Sequence, residues 1–236
     1  MNARSVSIKN ISLSCLLVTA GIFITPARAV EVTVDINTLT NGYVNVFELP
    51  SNGGAYVFGS SWGVADLCAS FSDAATITLA PNSIGDPASF WYTPEGGPGA
   101  TGNKIIEANV YAQSDGPLAG VDLNFIGTVV SNSFTGHTVT AFIRDFAPDY
   151  SSFVGQTQVL NSAGDFSVYF ATTADPTRHI QYGFSTVGAD VWITDAAAAG
   201  TMVITATAVP EPSTYSLIGA GLTGAFVMFA RRRRQA

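Results

Sequence analysis

The residues of this chain that could do chemistry are its histidines, its cysteines and its many carboxylates. Only two histidines occur, His137 and His179, and neither has a cysteine or a second histidine at the spacing of a zinc site. No Gly-x-Ser-x-Gly motif marks a serine nucleophile. Cys68 stands between Leu67 and Ala69, which is typical of a small buried apolar residue. We therefore expect neither a zinc enzyme nor a nucleophilic hydrolase.

The carboxylates do not mark out a catalytic pair either. A glycosidase needs two carboxyl groups placed across a sugar ring. Many of the acidic residues here stand in predicted turns, among them Asp73, Asp86, Asp115 and Asp165. We predict a protein that is not an enzyme, and a secreted glycan-active enzyme stays as an alternative.

The segment at residues 144–150, Arg-Asp-Phe-Ala-Pro-Asp-Tyr, has two interpretations. Asp145 and Asp149 could converge through a turn at Pro148 and hold a calcium ion, because calcium binds carboxylate and carbonyl oxygens. The same residues suit a strand end followed by a type I turn, with Arg144 paired to Asp145 or to another surface acid. We favour the turn. No cofactor is predicted, and a structural calcium ion stays open.

The chain begins with the three parts of a secretory signal peptide, residues 1–29. Arg4 and Lys9 form the positive start, an apolar run follows, and Ala27 and Ala29 are the small residues of the cleavage site. We predict cleavage after Ala29 and export of the mature chain.

The predicted exported domain, residues 30–208, is strongly acidic. It holds three cations, Lys104, Arg144 and Arg178, against 16 carboxylates, so its net charge is −13, whereas the whole chain carries −7. Such a surface repels phosphate, which argues against nucleic acid and anionic lipid as partners. Cys68 is the one cysteine of this domain, so its core must be sufficient without an internal disulfide.

The apolar pattern of this domain predicts strands. Short runs rich in Val, Ile, Thr, Phe and Tyr alternate with Gly, Asn, Asp, Ser or Pro, and no long stripe of helical period occurs. Residues 52–54, Asn-Gly-Gly, predict a hairpin turn, and residues 82–102 predict a long loop that carries a Phe-Trp-Tyr triplet. We predict an all-β fold, an antiparallel β-sandwich or jelly roll. The predicted strands are residues 30–36, 43–49, 55–60, 76–79, 104–113, 121–130, 137–146, 166–171, 180–186, 191–194 and 202–207.

The last 28 residues, 209–236, combine a proline-flanked acid, an apolar run and a basic end. Residues 213–230 carry no charge, and at about 1.5 Å per residue a helix there would cover roughly 27 Å, close to the thickness of a hydrocarbon core. Residues 231–236 form a basic tail that we place in the cytoplasm. The proline-flanked motif is Pro210, Glu211 and Pro212, and the orienting cations are Arg231, Arg232, Arg233 and Arg234.

This combination resembles the PEP-CTERM sorting signal of exopolysaccharide-producing Gram-negative bacteria. Pro210, Glu211 and Pro212 match the motif, and Ser213 follows as it commonly does in that family. The resemblance implies a precursor anchored in the inner membrane by a helix. It also implies recognition by an exosortase, a membrane-embedded cysteine transpeptidase-like enzyme, and delivery to the cell surface or a biofilm matrix. The alternative is an ordinary single-pass anchor with a proline-rich stem.

Two segments resemble a galactose-binding-like jelly roll of the carbohydrate-binding-module type. They read GHTVTAFIRDFAPDYSSF (residues 136–153) and DPTRHIQYGFSTVGADVWITDA (residues 175–196). The resemblance implies that the protein binds polysaccharide, and a structural surface protein that associates with its own copies is the alternative. Aromatic rings that stack on sugars and polar groups that bind hydroxyls are the expected contacts. The candidates of these types are Trp91, Tyr92, Arg144, Tyr150, Tyr182 and Trp192.

Overall fold

The computed structural model describes residues 29–207, which form two β-sheets around one core. The predictions for the signal peptide, except Ala29, and for the sorting motif, the transmembrane helix and the arginine tail concern residues 1–28 and 208–236. They lie outside the described residues. Within residues 29–207, none of the helices is long and apolar enough to span a membrane.

The described part of the chain contains fourteen strands and two short 3-10 helices. The strands are β1 Val30–Val32, β2 Asn41–Glu48, β3 Tyr56–Ser61, β4 Ala69–Asp73, β5 Thr76–Leu79, β6 Tyr92–Thr93, β7 Thr101–Gly102, β8 Lys104–Asp115, β9 Asp122–Asn132, β10 Thr138–Phe146, β11 Phe153–Leu160, β12 Gly164–Ala171, β13 His179–Ala189 and β14 Met202–Thr205. The 3-10 helices are Pro50–Asn52 and Ala196–Ala199.

The strands divide into two large sheets. The front sheet has the order β11-β10-β13-β8-β2-β3, and every pairing in it is antiparallel. The back sheet has the order β1-β9-β14-β5-β4, with β12 paired along β9. In the back sheet β1 runs parallel to β9. Strands β6 and β7 form a separate two-stranded sheet.

An aromatic cluster joins the two sheets at the centre of the core. The ring of Phe125, from β9, lies 5.4 Å from that of Phe166, 5.3 Å from that of Tyr182 and 5.2 Å from that of Phe184. Phe166 belongs to the back sheet, and Tyr182 and Phe184 belong to the front sheet. All four are buried because strand residues point alternately to the two faces of a sheet, and these point inward.

The prediction of an all-β sandwich is confirmed, and the exceptions have physical causes. Residues 52–54 do lie in the β2–β3 connection, where Gly53 and Gly54 take φ of 91° and 65°. Strands β4, β6, β7 and β11 were not predicted. Strands β6 and β7 are two residues each within the predicted loop 82–102. Strand β11 lies at the sheet edge and is exposed over most of its length, and Gly, Gln and Thr interrupt its apolar residues. The prediction of a strand at residues 191–194 is wrong, since only Val191 forms a single bridge, to Ser83.

Candidate functional site

A groove of about 630 Å³ crosses the outer face of the front sheet. All six strands of that sheet contribute side chains to it, and Tyr150 joins them from the turn between β10 and β11. Because neighbouring strands are about 4.8 Å apart, a groove that crosses six of them reaches over roughly 24 Å. Its lining residues are Tyr43, Asn45, Ser61, Glu107, Asn109, Tyr111, Gln113, Arg144, Phe146, Tyr150, Phe153 and Gln181.

Strand β8 supplies four of these side chains, because its residues alternate between core and groove. Glu107, Asn109, Tyr111 and Gln113 face the groove, whereas the residues between them belong to the core. Asn109 is only 2% exposed, so it forms part of the groove floor. Its Nδ2 donates to Tyr43 O at 3.3 Å, which ties the floor to strand β2.

Arg144, on β10, lies across this floor. Its Nη1 donates to Asn109 Oδ1 at 2.9 Å, and its Nη2 donates to Glu107 Oε1 at 3.2 Å. The guanidinium carbon lies 3.9 Å from the ring centroid of Phe142, a residue with no exposed surface. Burial lowers the pKa of Arg144, and the neighbouring Glu107 carboxylate opposes that shift. Arg144 is therefore fixed in place by an ion pair, a hydrogen bond and an aromatic ring.

Each oxygen of the Glu107 carboxylate accepts at least one hydrogen bond. Besides the bond from Arg144, its Oε1 accepts from Ser185 Oγ at 3.4 Å and its Oε2 accepts from Asn45 Nδ2 at 3.4 Å. The negative charge at the floor of the groove is thus balanced by the guanidinium beside it, and both carboxylate oxygens have donors.

Aromatic rings occur along the whole groove. Tyr43 lies on β2 toward one end, Tyr111 lies on β8 in the middle, and Tyr150 and Phe153 lie at the other end. The ring of Phe146 is 5.7 Å from that of Tyr150 and 5.0 Å from that of Phe153, so the three form a continuous apolar surface. Burial raises the pKa of Tyr111 above its ordinary value.

Tyr150 is held at the rim by a histidine. Its ring stacks on that of His179 at 4.1 Å with an interplanar angle of 5°, and Gln113 Nε2 donates to its hydroxyl at 3.0 Å. The two ring nitrogens of His179 lie 2.7 Å from Asp115 Oδ1 and 3.2 Å from Pro148 O. Both partners are acceptors, so the protonated imidazole satisfies both. The hydrogen bond to Asp115 raises the pKa of His179.

Two of the six predicted sugar-contact residues, Arg144 and Tyr150, line this groove. The prediction for Tyr182 is wrong, since this residue is 7% exposed and contacts Phe125 in the core. Its neighbour Gln181 points the other way and lines the groove. Because adjacent residues of β13 point to opposite faces of the sheet, Gln181 lines the groove and Tyr182 packs in the core.

The other three candidates, Tyr92, Trp192 and Trp91, lie outside the groove. Tyr92 has no exposed surface, and its hydroxyl donates to Ile84 O at 2.7 Å and accepts from Ile84 N–H at 3.1 Å. The prediction of a sugar contact for Tyr92 is therefore wrong, because a side chain without exposed surface cannot touch a sugar. Trp192 packs edge-on against Tyr92 at 5.4 Å, and Trp91 packs edge-on against Phe58 at 6.2 Å. Both tryptophans are partly buried against the core and lie outside the groove.

Asp145 and Asp149, the predicted calcium ligands, do not meet. Asp145 is completely buried, pairs with Arg178 Nε and accepts from Thr173 N–H at 2.8 Å. Asp149 is exposed and accepts from the backbone N–H and the hydroxyl of Ser151 at 3.1 and 2.6 Å. Residues 29–207 contain no group of three or more His, Cys, Asp or Glu side chains arranged to hold a metal ion.

The turn interpretation of this segment agrees with the structure, and of the two partners expected for Arg144 the structure has the second, an acid other than Asp145. Tyr150 N–H donates to Ala147 O at 2.9 Å and closes a turn after β10. Arg144 pairs with Glu107 and not with Asp145, because adjacent residues of a strand point to opposite faces.

Sequence reasoning did not find most of the groove. The residues missed on β2 and β8 include Tyr43, Asn45, Glu107, Asn109 and Gln113. Their signal is a strict alternation in β8, where Ile, Ala, Val and Ala alternate with Glu, Asn, Tyr and Gln. A strand face that carries large polar and aromatic side chains indicates a binding surface.

Comparison with known proteins adds one sequence match and one structural likeness. A solved structure, from work on the structural basis for the promiscuous specificity of carbohydrate-binding modules of the β-sandwich superfamily, aligns at 12% identity with a TM-score of 0.33. The alignment covers 66% of this chain and 67% of that one. No curated protein matches the chain. The PEP-CTERM protein-sorting motif matches residues 208–234. The chain thus carries the PEP-CTERM sorting motif, which implies an exported protein made as a membrane-anchored precursor and processed by an exosortase.

Proposed function

We propose that this exported protein is not an enzyme and binds polysaccharide at the cell surface or in the extracellular matrix through the groove of the front sheet. The observation that carries this proposal is that aromatic, amide and hydroxyl side chains from all six strands converge on one groove. Aromatic rings bind the apolar faces of sugars, and amides and hydroxyls exchange hydrogen bonds with sugar hydroxyls. A groove open across the whole sheet suits a polymer better than a small molecule.

The charges in the groove favour binding over hydrolysis. Glu107 is the one carboxylate among its lining residues, and hydrolysis of a glycosidic bond commonly uses two. Both oxygens of Glu107 already accept hydrogen bonds, from Arg144, Asn45 and Ser185. An engaged carboxylate of this kind is a poor proton donor or nucleophile for an incoming sugar.

Affinity electrophoresis of the full-length protein in detergent, against a panel of soluble polysaccharides, tests the proposal. Tyr150→Ala removes the rim aromatic and should weaken binding by about threefold to tenfold, the range expected for one aromatic contact. Tyr169→Ala is the matched control, because Tyr169 is 52% exposed on β12 of the back sheet. No retardation of the wild-type protein by any polysaccharide, or equal weakening by the two substitutions, contradicts the proposal.

A further inference from the structure

The groove has no free positive charge to offer a ligand. Residues 29–207 contain three lysine or arginine side chains, and each is already in an ion pair. Lys104 Nζ lies 3.1 Å from Glu48 Oε2, and Arg178 pairs with the buried Asp145. Arg144 is therefore the one cation that lines the groove, and Glu107 already neutralises it at 3.2 Å.

An anionic sugar could not recruit Arg144 without loss. Nη1 and Nη2 each donate one N–H, to Asn109 and Glu107, and Nε is buried without a partner among the described residues. The remaining N–H groups of Nη1 and Nη2 could serve a ligand carboxylate only by sharing the guanidinium charge that balances Glu107. Turning the guanidinium toward a ligand carboxylate would leave Glu107 charged, half-buried and without its cation. Removal of one member of a buried or partly buried ion pair is unfavourable, because the remaining charge stays desolvated.

The charge of the whole domain acts in the same direction. Residues 30–208 carry 16 carboxylates and three cations. The net negative charge of the domain therefore repels a polyanion that approaches the front sheet. A neutral chain approaches without this penalty.

The groups that remain available in the groove are neutral. Gln181 Nε2 donates to Gln113 Oε1 at 2.9 Å, and its second N–H is left for a ligand. Both N–H groups of Gln113 are already used, on Asp115 Oδ1 and the Tyr150 hydroxyl. The Tyr43 and Tyr111 hydroxyls line the same groove, and each can donate and accept one hydrogen bond with a sugar hydroxyl.

From this arrangement we propose that the groove selects uncharged glycan chains and discriminates against glycans that bear carboxylate, sulfate or phosphate groups. The proposal rests on the proposed function of the groove and names the class of polysaccharide that it takes. The selection has two sources: the engaged Arg144–Glu107 pair leaves no cation for the ligand, and the acidic domain repels polyanions.

Isothermal titration of the full-length protein in detergent with paired probes tests the selection. One pair is polygalacturonate and its fully methyl-esterified form, which share a backbone and differ in charge. Neutral glucan, galactomannan and xylan extend the panel. We expect the neutral member of the pair to bind at least about tenfold more tightly in 20–50 mM salt, with an affinity that hardly changes at higher salt, where screening is stronger. Equal or tighter binding of the acidic form overturns the selection and leaves polysaccharide binding standing, whereas no binding of any probe overturns both.

A charge change inside the groove sharpens the test. Glu107→Gln keeps the shape of the side chain and releases the charge of Arg144, so the affinity for polygalacturonate should rise by about tenfold, the gain typical of one charge-assisted hydrogen bond. Glu48→Gln is the matched control, because it changes the net charge of the protein by the same amount outside the groove. An equal gain in both variants would assign the effect to net charge and overturn the role of the Arg144–Glu107 pair. No gain in Glu107→Gln would overturn it as well.

Discussion

Asp190 offers a quantitative test of the packing beside strand β8. The residue is 1% exposed, its Oδ1 accepts from Lys104 N–H at 3.0 Å, and its Oδ2 has no hydrogen-bond partner among the described residues. Burial raises the pKa of this carboxyl group from its ordinary value near 3.8 to about 6. The folded state therefore binds the proton of Asp190 more tightly than the unfolded chain does. The contribution of protonated Asp190 to the stability of the fold is complete below pH 3.8 and is lost as the pH rises through 6.

The substitution Asp190→Asn isolates this contribution, because asparagine keeps the Oδ1 acceptor and cannot ionise. A rise in pKa of about 2 units corresponds to about 3 kcal/mol, which is the free energy that the wild-type protein loses between low and neutral pH at this group. We expect the free energy of unfolding of the variant, relative to wild type, to increase by about 2–3 kcal/mol between pH 4 and pH 7.5.

Urea denaturation of both proteins at several pH values between 4 and 7.5 measures this difference. Glu95→Gln, at an exposed carboxylate, is the control and should show no such trend. If the stability difference between Asp190→Asn and wild type is the same at every pH, the carboxyl group is not destabilised by burial and the reasoning fails.

Three further predictions concern the groove rim, the buried ion pair and the tail. In an NMR titration, the pKa of His179 should lie above the ordinary histidine value, because the hydrogen bond to Asp115 stabilises the imidazolium. The substitution Asp115→Asn should lower this pKa. The same His179 pKa in the variant and the wild type would show that the bond does not form in solution. Asp145→Asn should lower the free energy of unfolding, measured by chemical denaturation, by about 3–5 kcal/mol, because Arg178 would keep its charge without its buried partner. A loss below about 1 kcal/mol would contradict that account. Glu211→Ala in the sorting motif should leave an unprocessed precursor in a host that has the exosortase, and normal processing of that variant, measured by intact mass, would refute recognition of the motif.

Much of the fold follows from local patterns. Alternation of apolar and polar residues predicted most strands of the sandwich, because a strand between a core and solvent must alternate. Edge strand β11 escaped this reasoning, since it is exposed along most of its length and has no apolar face to reveal it. The same pattern predicted a strand at residues 191–194 that the structure does not contain, because Val191 and Trp192 are half-buried by packing in a segment that is not a strand.

The candidate site was only partly predictable. Arg144 and Tyr150 were found by residue type, whereas Tyr92 and Tyr182 were chosen by the same criterion and lie in the core. An aromatic ring suits a core as well as a sugar. Residue type therefore cannot separate the two uses without knowledge of which face the side chain occupies.

The sequence by itself determined the sorting motif, the acidic charge of residues 30–208 and their β-class, because each depends on composition or on neighbours along the chain. Tertiary structure alone decided the groove. The period of a strand says which of its residues share a face, but only the pairing of β8 with β2 and β13, and of β13 with β10, brings Glu107 to Arg144. Residues 37 positions apart become an ion pair because strands pair through long-range backbone hydrogen bonds that no local pattern encodes.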